Sequence, residues 1–394
     1  MVSASLHEAP AAPRRIWAIE GLRAWLAWTV VLAHVIQICG IDRLYPGMWL
    51  TQFLATEAVK VFVIISGFVI ANVVLARRES WLPYITRRAF RIFPIYLLLL
   101  PVGAATMYLA EQALAFMSWS QLPGYKYDDT VRATISSVEA RPAAHVILHL
   151  LLFQGIIPDS VLDNSQTSFL GPAWSLSLEW QFYLIAPLLI WMLCRRGWSL
   201  VAIGTLASLA IAYRIGAFGH FELPSFFPAI GYLFAVGIAS RLVFDALKRA
   251  DFHATALACA CVGAALLFQP LFAIGIWGAF LALLVGAAKD RHEKLGRAAT
   301  HALFETRFAT AMGARSYAVY LAHWPVIQGL AFLILPLAPF TQWQAFAVLA
   351  PAVIVATALL AEALHRFVEK PMIRVGAALA SRQNAQRAYA GGAA

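Results

Sequence analysis

The sequence predicts an all-α fold, a polytopic transmembrane bundle of about ten spans with the N-terminus and C-terminus both cytoplasmic. Three observations predict it. Of 394 residues, 61% are hydrophobic and only 13% charged, against about half and a quarter in an average soluble domain. Apolar runs of the roughly 20 residues needed to cross a bilayer core recur along the whole chain. The basic residues stand in short clusters between those runs, the pattern by which positive charge sets membrane topology.

Taken in order, the runs fall near 16–39, 52–76, 92–111, 174–193, 199–215, 225–243, 253–269, 271–288, 316–335 and 343–364. The first is too long for a cleavable signal peptide and lacks a small-x-small cleavage site. A further stretch, 144–157, is short and reads as interfacial or re-entrant. Counting it as a span would turn Arg195, Arg196 and every later cluster to the wrong side. With ten spans, Arg14/Arg15, Arg77/Arg78/Arg87/Arg88/Arg91, Arg195/Arg196, Arg241/Lys248/Arg249, the Lys289–Arg315 group and Arg366–Arg387 share the cytoplasmic side. The expected organisation is a tail over 1–13, a membrane domain over 14–374 and a frayed tail over 375–394. The polar stretches 112–143 and 158–173 lie outside, too small for a domain of their own but able to form a lid.

Several classes drop out. A net charge of +10 suggests nucleic acid, but no basic domain or aromatic-interleaved patch supports such a partner. Cys39, Cys194, Cys259 and Cys261 lie in or beside apolar runs as small hydrophobes, and Cys259 and Cys261 make a poor metal pair, so no metal is expected. No internal repeat or pair of interrupted half-helices marks a transporter.

Polar residues inside spans each cost about 2.5–3.5 kcal/mol on insertion scales, which makes them candidates for function. In the first span, Arg23 and His34 are 11 residues apart. At about 100° per residue they share a face, with the imidazole about 16 Å further out. Glu20 can pair with Arg23, and the bland alternative is a snorkelling anchor plus a packing histidine. Ser66-Gly67 in the second span suits close helix packing. Arg88 and Arg91 share a helix face beside Arg87, either as a bidentate phosphate site or as an ordinary topogenic cluster. Glu179, about one and a half turns into its span, matches His34 in depth. It could orient the imidazole or sit in a network with Trp174, Ser175 and Tyr183. Tyr317, Tyr320 and His323 fall in the inner half of the ninth span. Glu369 counters nearby cations, and Pro371 is expected to stop the last span. The residues alone suit either a reaction drawing a phosphorylated donor from the cytosol, or a proton-coupled transporter or flippase of a lipid-linked glycan with His34 and Glu179 as relay.

EGLRAWLAWTVVLAH at 20–34, VFVIISGF at 61–68, YITRRAFRIFPIY at 84–96, WSLSLEWQFY at 174–183, SYAVYLAH at 316–323 and FVEKP at 367–371 together resemble the type 3 membrane acyltransferases, the O-acetyltransferase group. The resemblance implies a bacterial inner-membrane enzyme that moves an acyl group, commonly acetyl from acetyl-CoA, to a hydroxyl of a glycan, lipid-linked sugar or related acceptor, without a metal. It maps the family's basic residue and histidine onto Arg23 and His34, its arginine-x-x-arginine motif onto Arg88 and Arg91, and its tryptophan-serine-leucine element with an acid onto Trp174, Ser175, Leu176 and Glu179. The sequence departs at Glu20, where aspartate is usual, and at Lys60, where an acid is common. No fused extracytoplasmic hydrolase-like domain is expected. On this reading His34 is a general base oriented by Glu179, or an acyl-carrying nucleophile. Arg23 offsets negative charge on the donor or the oxyanion, and Arg88 and Arg91 hold CoA phosphates. Ser66, Trp174, Ser175, Tyr183, Tyr317 and His323 line the substrate path. The acceptor, the acyl group and the oligomeric state stay open.

Overall fold

In a bilayer core every backbone N–H and C=O must be satisfied within its own segment, so long apolar runs become helices. The computed structural model describes residues 16–44, 49–77, 79–122, 125–249, 272–289 and 298–392, and among these it contains helices and turns but no strand. The helices are α1 (Trp17–Ile38), α2 (Trp49–Arg77), α3 (Trp81–Leu114), α4 (Tyr127–Ala140), α5 (Pro142–Leu150), α6 (Trp174–Leu193) and α7 (Trp198–Arg214). They continue as α8 (Phe227–Ile230), α9 (Tyr232–Arg249), α10 (Phe272–Lys289), α11 (Arg307–Ala314), α12 (Ser316–Ile334), α13 (Gln342–Leu364) and α14 (Lys370–Gly392).

Among the described residues, six helical runs are long and apolar enough to cross a membrane: α1, most of α2, α3, α6, α12 and the continuous α13–α14 run. Three apolar helices, α7, α9 and α10, are shorter over their apolar parts. The expected span over 253–269 lies outside the described residues. The stretch 144–157 forms only α5 and one 3-10 turn at Gln154–Ile156, as its length suggested.

Differences from the sequence reading have local causes. The run 225–243 is broken into α8 and α9 around Gly231, and residues 231–240 of α9 are buried throughout. An all-round apolar helix of this kind is as well suited to a protein interior as to lipid. α3 starts at Trp81, eleven residues ahead of the expected span, and at 34 residues is about 51 Å long, more than a bilayer core is thick. Pro371 does not end the last helix. The π-helical turn His365–Glu369 precedes it, where the regular i to i−4 bonding that Pro371 cannot make is already interrupted. Nor is the chain frayed from residue 375: α14 packs along α3, Ala380 is buried, Arg87 donates to the Ala377 carbonyl at 3.2 Å, and Thr86 reaches Gln383.

One crossing sets the depth of everything that follows. Gly313 of α11 lies against the Glu20 backbone, and Gly21 against the Phe304 backbone, so a Cβ at either would overlap a carbonyl. α12 therefore begins beside the first turns of α1. α6 begins inside, because Gly171 at its mouth touches the Trp324 ring. Above that level, Trp119 and Tyr125 both donate to the Ile38 carbonyl, at 2.9 and 2.8 Å. Trp119 and Tyr125 thus cover the end of α1, as a lid would.

Candidate active site

His34 and His323 stack, with ring centroids 5.4 Å apart and planes inclined by 19°. Trp324 packs edge-on against His34 at 5.1 Å. His323 is fully buried; its Nδ1 lies 3.3 Å from the Val319 carbonyl, which can only accept, so that nitrogen carries the proton. Its Nε2 has no partner. His34 Nδ1 is 3.1 Å from Gln37 Oε1. With the amide oxygen as acceptor, His34 is protonated at Nδ1 and basic at Nε2.

Gln37, not Glu179, is therefore the group on His34. Glu179 Oε1 accepts from Ser66 Oγ and from Tyr183 OH, each at 2.6 Å. The equal-depth expectation placed the start of α6 at the membrane boundary. Starting instead at the Trp324 level, α6 carries Glu179 about 12 Å inward along its axis from Gly171, into the arginine layer. The same shift of α12 brings His323 up to His34 rather than leaving it in the inner half.

Glu179 lines two adjoining cavities. The wider, about 430 Å³, is lined by Arg23, Arg77, Arg87, Arg88 and Arg91 with Glu20, Glu179, Tyr183 and Tyr317 among its other walls. The narrower, about 60 Å³, is lined by Arg23, Ser66, Ser175, Glu179, Tyr317 and Tyr320 with apolar Val59, Phe62, Val63, Leu176 and Phe234. Arg23, Ser66, Glu179 and Tyr317 line both. Neither His34 nor His323 lines these cavities; the narrow chamber's Tyr320, hydrogen-bonded to Ser175 at 2.8 Å, has its ring centroid 6.0 Å from that of His323. Of the expected substrate-path residues, Ser66, Ser175 and Tyr317 line the narrow chamber and Tyr183 the wide one. Trp174 does not; it is buried in the core and lines neither.

The arginines are not equivalent. Arg87 is held by Glu79 at 3.0 Å. Arg91 is engaged by Glu369 at 3.5 Å, and Glu369 also takes His365 at 2.8 Å, which fits its expected role as counter-charge. Arg88 lies near the faces of Tyr84 and Tyr183, at 6.0 and 5.9 Å, and its Nε is buried without a hydrogen-bond partner, as is that of Arg23. Two buried donors on one cavity wall suit an anion. Lys60, the departure in the second motif, is salt-bridged to Glu57 at 2.6 Å, whose other oxygen accepts from Ala273 N in the first turn of α10. That pair is structural. Gln37 escaped the sequence reading although its spacing of three from His34 was a usable signal.

Residues 16–361 match the family described as Acyltransferase domain. A curated relative, Nodulation protein 10 of Rhizobium leguminosarum bv. viciae, is 25% identical over 235 residues, 58% of this chain and 60% of the relative. The matched part thus covers less than two thirds of that protein. No solved structure matches.

Proposed function

The chain belongs to this acyltransferase family of membrane proteins, and from that premise we propose that it is an O-acyltransferase. It draws the acyl group, acetyl by preference, from cytosolic acyl-CoA and passes it to a hydroxyl of a glycan, lipid-linked sugar or related acceptor at the far side of a bacterial inner membrane. The observation that carries this reading is an arginine-lined cavity adjoining a narrower one whose Tyr320 wall lies beside the His34–His323 pair. On the proposed topology, with both termini in the cytoplasm, the arginine end faces the cytosol.

Arg88 and Arg23, whose Nε donors are unsatisfied, hold the anionic part of the donor. The pantetheine arm runs through the narrow chamber past Ser66 and Tyr317. His34 Nε2 takes the acceptor's hydroxyl proton as the oxygen attacks the thioester carbonyl. The C–S bond then breaks, and His34 returns the proton to the departing thiolate. Arg23 lies about 16 Å from His34 along α1, so it acts on the donor and not on the oxyanion. Glu179, bonded to Ser66 and Tyr183, balances the arginine charge and shapes the passage.

The test uses inverted membrane vesicles supplied with isotope-labelled acetyl-CoA, comparing the unaltered protein with His34→Ala at matched expression. Label should enter a saponifiable ester in the glycan or lipid fraction and be lost in the variant. Equal labelling by both proteins would remove His34 from the chemistry.

A further inference from the structure

A second cavity, about 520 Å³, opens at the arginine end between the start of α1, α11, the π-helical turn and the start of α14. It is separate from the passage described above, yet Glu20, Arg91 and Ile373 line both. Arg91 therefore stands in the partition.

The contents of this cavity form a recognisable set. Arg307, Arg315 and Lys370 join Arg91 around it, against the two carboxylates of Glu20 and Glu369, which leaves positive charge in excess. Arg315 is already engaged by Glu362. Arg307 and Lys370 are exposed and make no salt bridge among the described residues. Glu369 is 1% exposed; its Oε1 makes no hydrogen bond and has only the 3.5 Å approach of Arg91. Trp17 contributes a half-exposed indole. An aromatic face for a base, a buried carboxylate to accept from an exocyclic amine, and free cations for phosphate are what a phosphorylated adenosine needs.

We infer that this second cavity holds the adenosine 3′-phosphate end of the acyl-CoA donor, with Arg307 and Lys370 on the 3′-phosphate, Glu369 on the adenine amine and Trp17 against the purine. The inference rests on the reading of acyl-CoA as donor. That molecule carries its thioester and its nucleotide at opposite ends, joined through a pyrophosphate. The pyrophosphate passes over Arg91 from one cavity into the other, where it meets Arg88 and Arg23, so the nucleotide end and the thioester end occupy separate chambers. This makes the 3′-phosphate a feature the protein reads, not a bystander.

The test is nucleotide binding to the full chain in nanodiscs of neutral lipid, which needs no acceptor. Adenosine 3′,5′-bisphosphate should bind at least about tenfold more tightly than adenosine 5′-monophosphate, the difference of one charge-assisted phosphate contact. Arg307→Ala combined with Lys370→Ala should erase that preference while leaving monophosphate binding unchanged. Trp17→Ala should weaken both nucleotides equally, and Trp17→Phe should restore them. Arg88→Ala, on the other chamber, should leave the preference intact and show that the fold tolerates loss of a cation. No preference in the unaltered protein, a preference that survives the double variant, or inorganic phosphate competing as well as the bisphosphate would each overturn the inference, the last pointing to a lipid phosphate or other simple anion. A protein that shows the preference but transfers nothing from acetyl-CoA would uphold this site and sink the acyl transfer reading. Transfer without the preference would do the reverse.

Discussion

Replacing Gln37 with leucine tests whether the amide orients the catalytic base. The change keeps side-chain volume close while deleting the acceptor 3.1 Å from His34 Nδ1. A neutral hydrogen bond of this kind contributes about 0.5–1.5 kcal/mol net, and one to a charged group about 1.5–3 kcal/mol. Because His34 gains a proton in the transition state, the bond is stronger there than in the ground state, by about 1 kcal/mol on those figures. Gln37→Leu should therefore lower kcat about five- to tenfold. Loss of the base itself in His34→Ala should cost about 10²–10⁴. KM for acetyl-CoA should not move, since Gln37 lines neither the 430 Å³ cavity nor the narrow chamber. Gln37→Glu, which keeps an acceptor at the same reach, should recover most of the rate, whereas Gln37→Asn, shorter by one methylene, should not. Initial rates of ester formation in vesicles, at matched expression and saturating donor, give all four values. A wild-type rate in Gln37→Leu, or a rise in KM at constant kcat, would refute the positioning argument.

Four further outcomes follow from the same geometry. Arg88→Ala should raise KM for acetyl-CoA by roughly ten- to a hundredfold, the value of a charge-assisted contact. Arg91→Ala should weaken donor binding and also lower thermal stability, the latter by about 1 kcal/mol because Arg91 is partly exposed and Glu369 keeps His365 at 2.8 Å; purified variants compared by donor titration and thermal unfolding would separate it from Arg88→Ala, which should move binding alone. Gly313→Ala should destabilise by about 1–3 kcal/mol, since the new methyl meets the Glu20 backbone, and an unchanged melting temperature would contradict the packing described for that crossing. Outside the spanning helices, burial pushes His149 down to about 4, while an unfolded histidine titrates near 6.5. The unfolded chain thus binds more protons between those values, so stability is full above about pH 6.5 and falls toward pH 4 by up to about 3 kcal/mol. Hydrogen exchange of α5 across that range should show the slope, and His149→Gln should flatten it.

Much of the helical framework was legible because apolar run length is a strong signal. The bounds of α1, α6, α12 and α13 fall within two residues of the expected spans at either end. What sequence could not supply was depth. Residues were placed by counting from the ends of spans, as if each span began at the membrane boundary. The glycine contacts of Gly313 with Glu20 and of Gly171 with Trp324 move α12 and α6 inward, and those contacts are invisible in a single chain. Arg23 and His34 stand out in the sequence as polar residues in the wrong solvent, Arg88 as one of a cytoplasmic-face cluster and Ser66 as a packing position; Arg23, Ser66 and Arg88 line the cavities, and His34 stacks on His323 beyond them. The pairing of His34 was misjudged because a carboxylate at matching depth looked a better partner than an amide one turn away. The buried α9 shows the complementary difficulty: an all-apolar helix reads the same whether lipid or protein surrounds it.

Separation of Glu179 from His34 also bears on the transport alternative. A proton relay needs groups within hydrogen-bond reach or linked by a chain of such groups. Glu179 spends its Oε1 on Ser66 and Tyr183, while His34 Nδ1 is taken by Gln37. Between them the narrow chamber mixes five apolar wall residues with serine and tyrosine hydroxyls, a lining suited to a polar but uncharged arm. Among the described residues the side chain of His34 is hydrogen-bonded to Gln37 and to none of those hydroxyls. A transferase has no need of contact between the two. It needs the anion held at one end, the reactive group delivered to the other, and a base there with its second nitrogen already committed. That division of labour accounts for why the arginines line the wide cavity while the histidines lie beyond the Tyr320 wall of the narrow one, and for why the carboxylate belongs with the arginines.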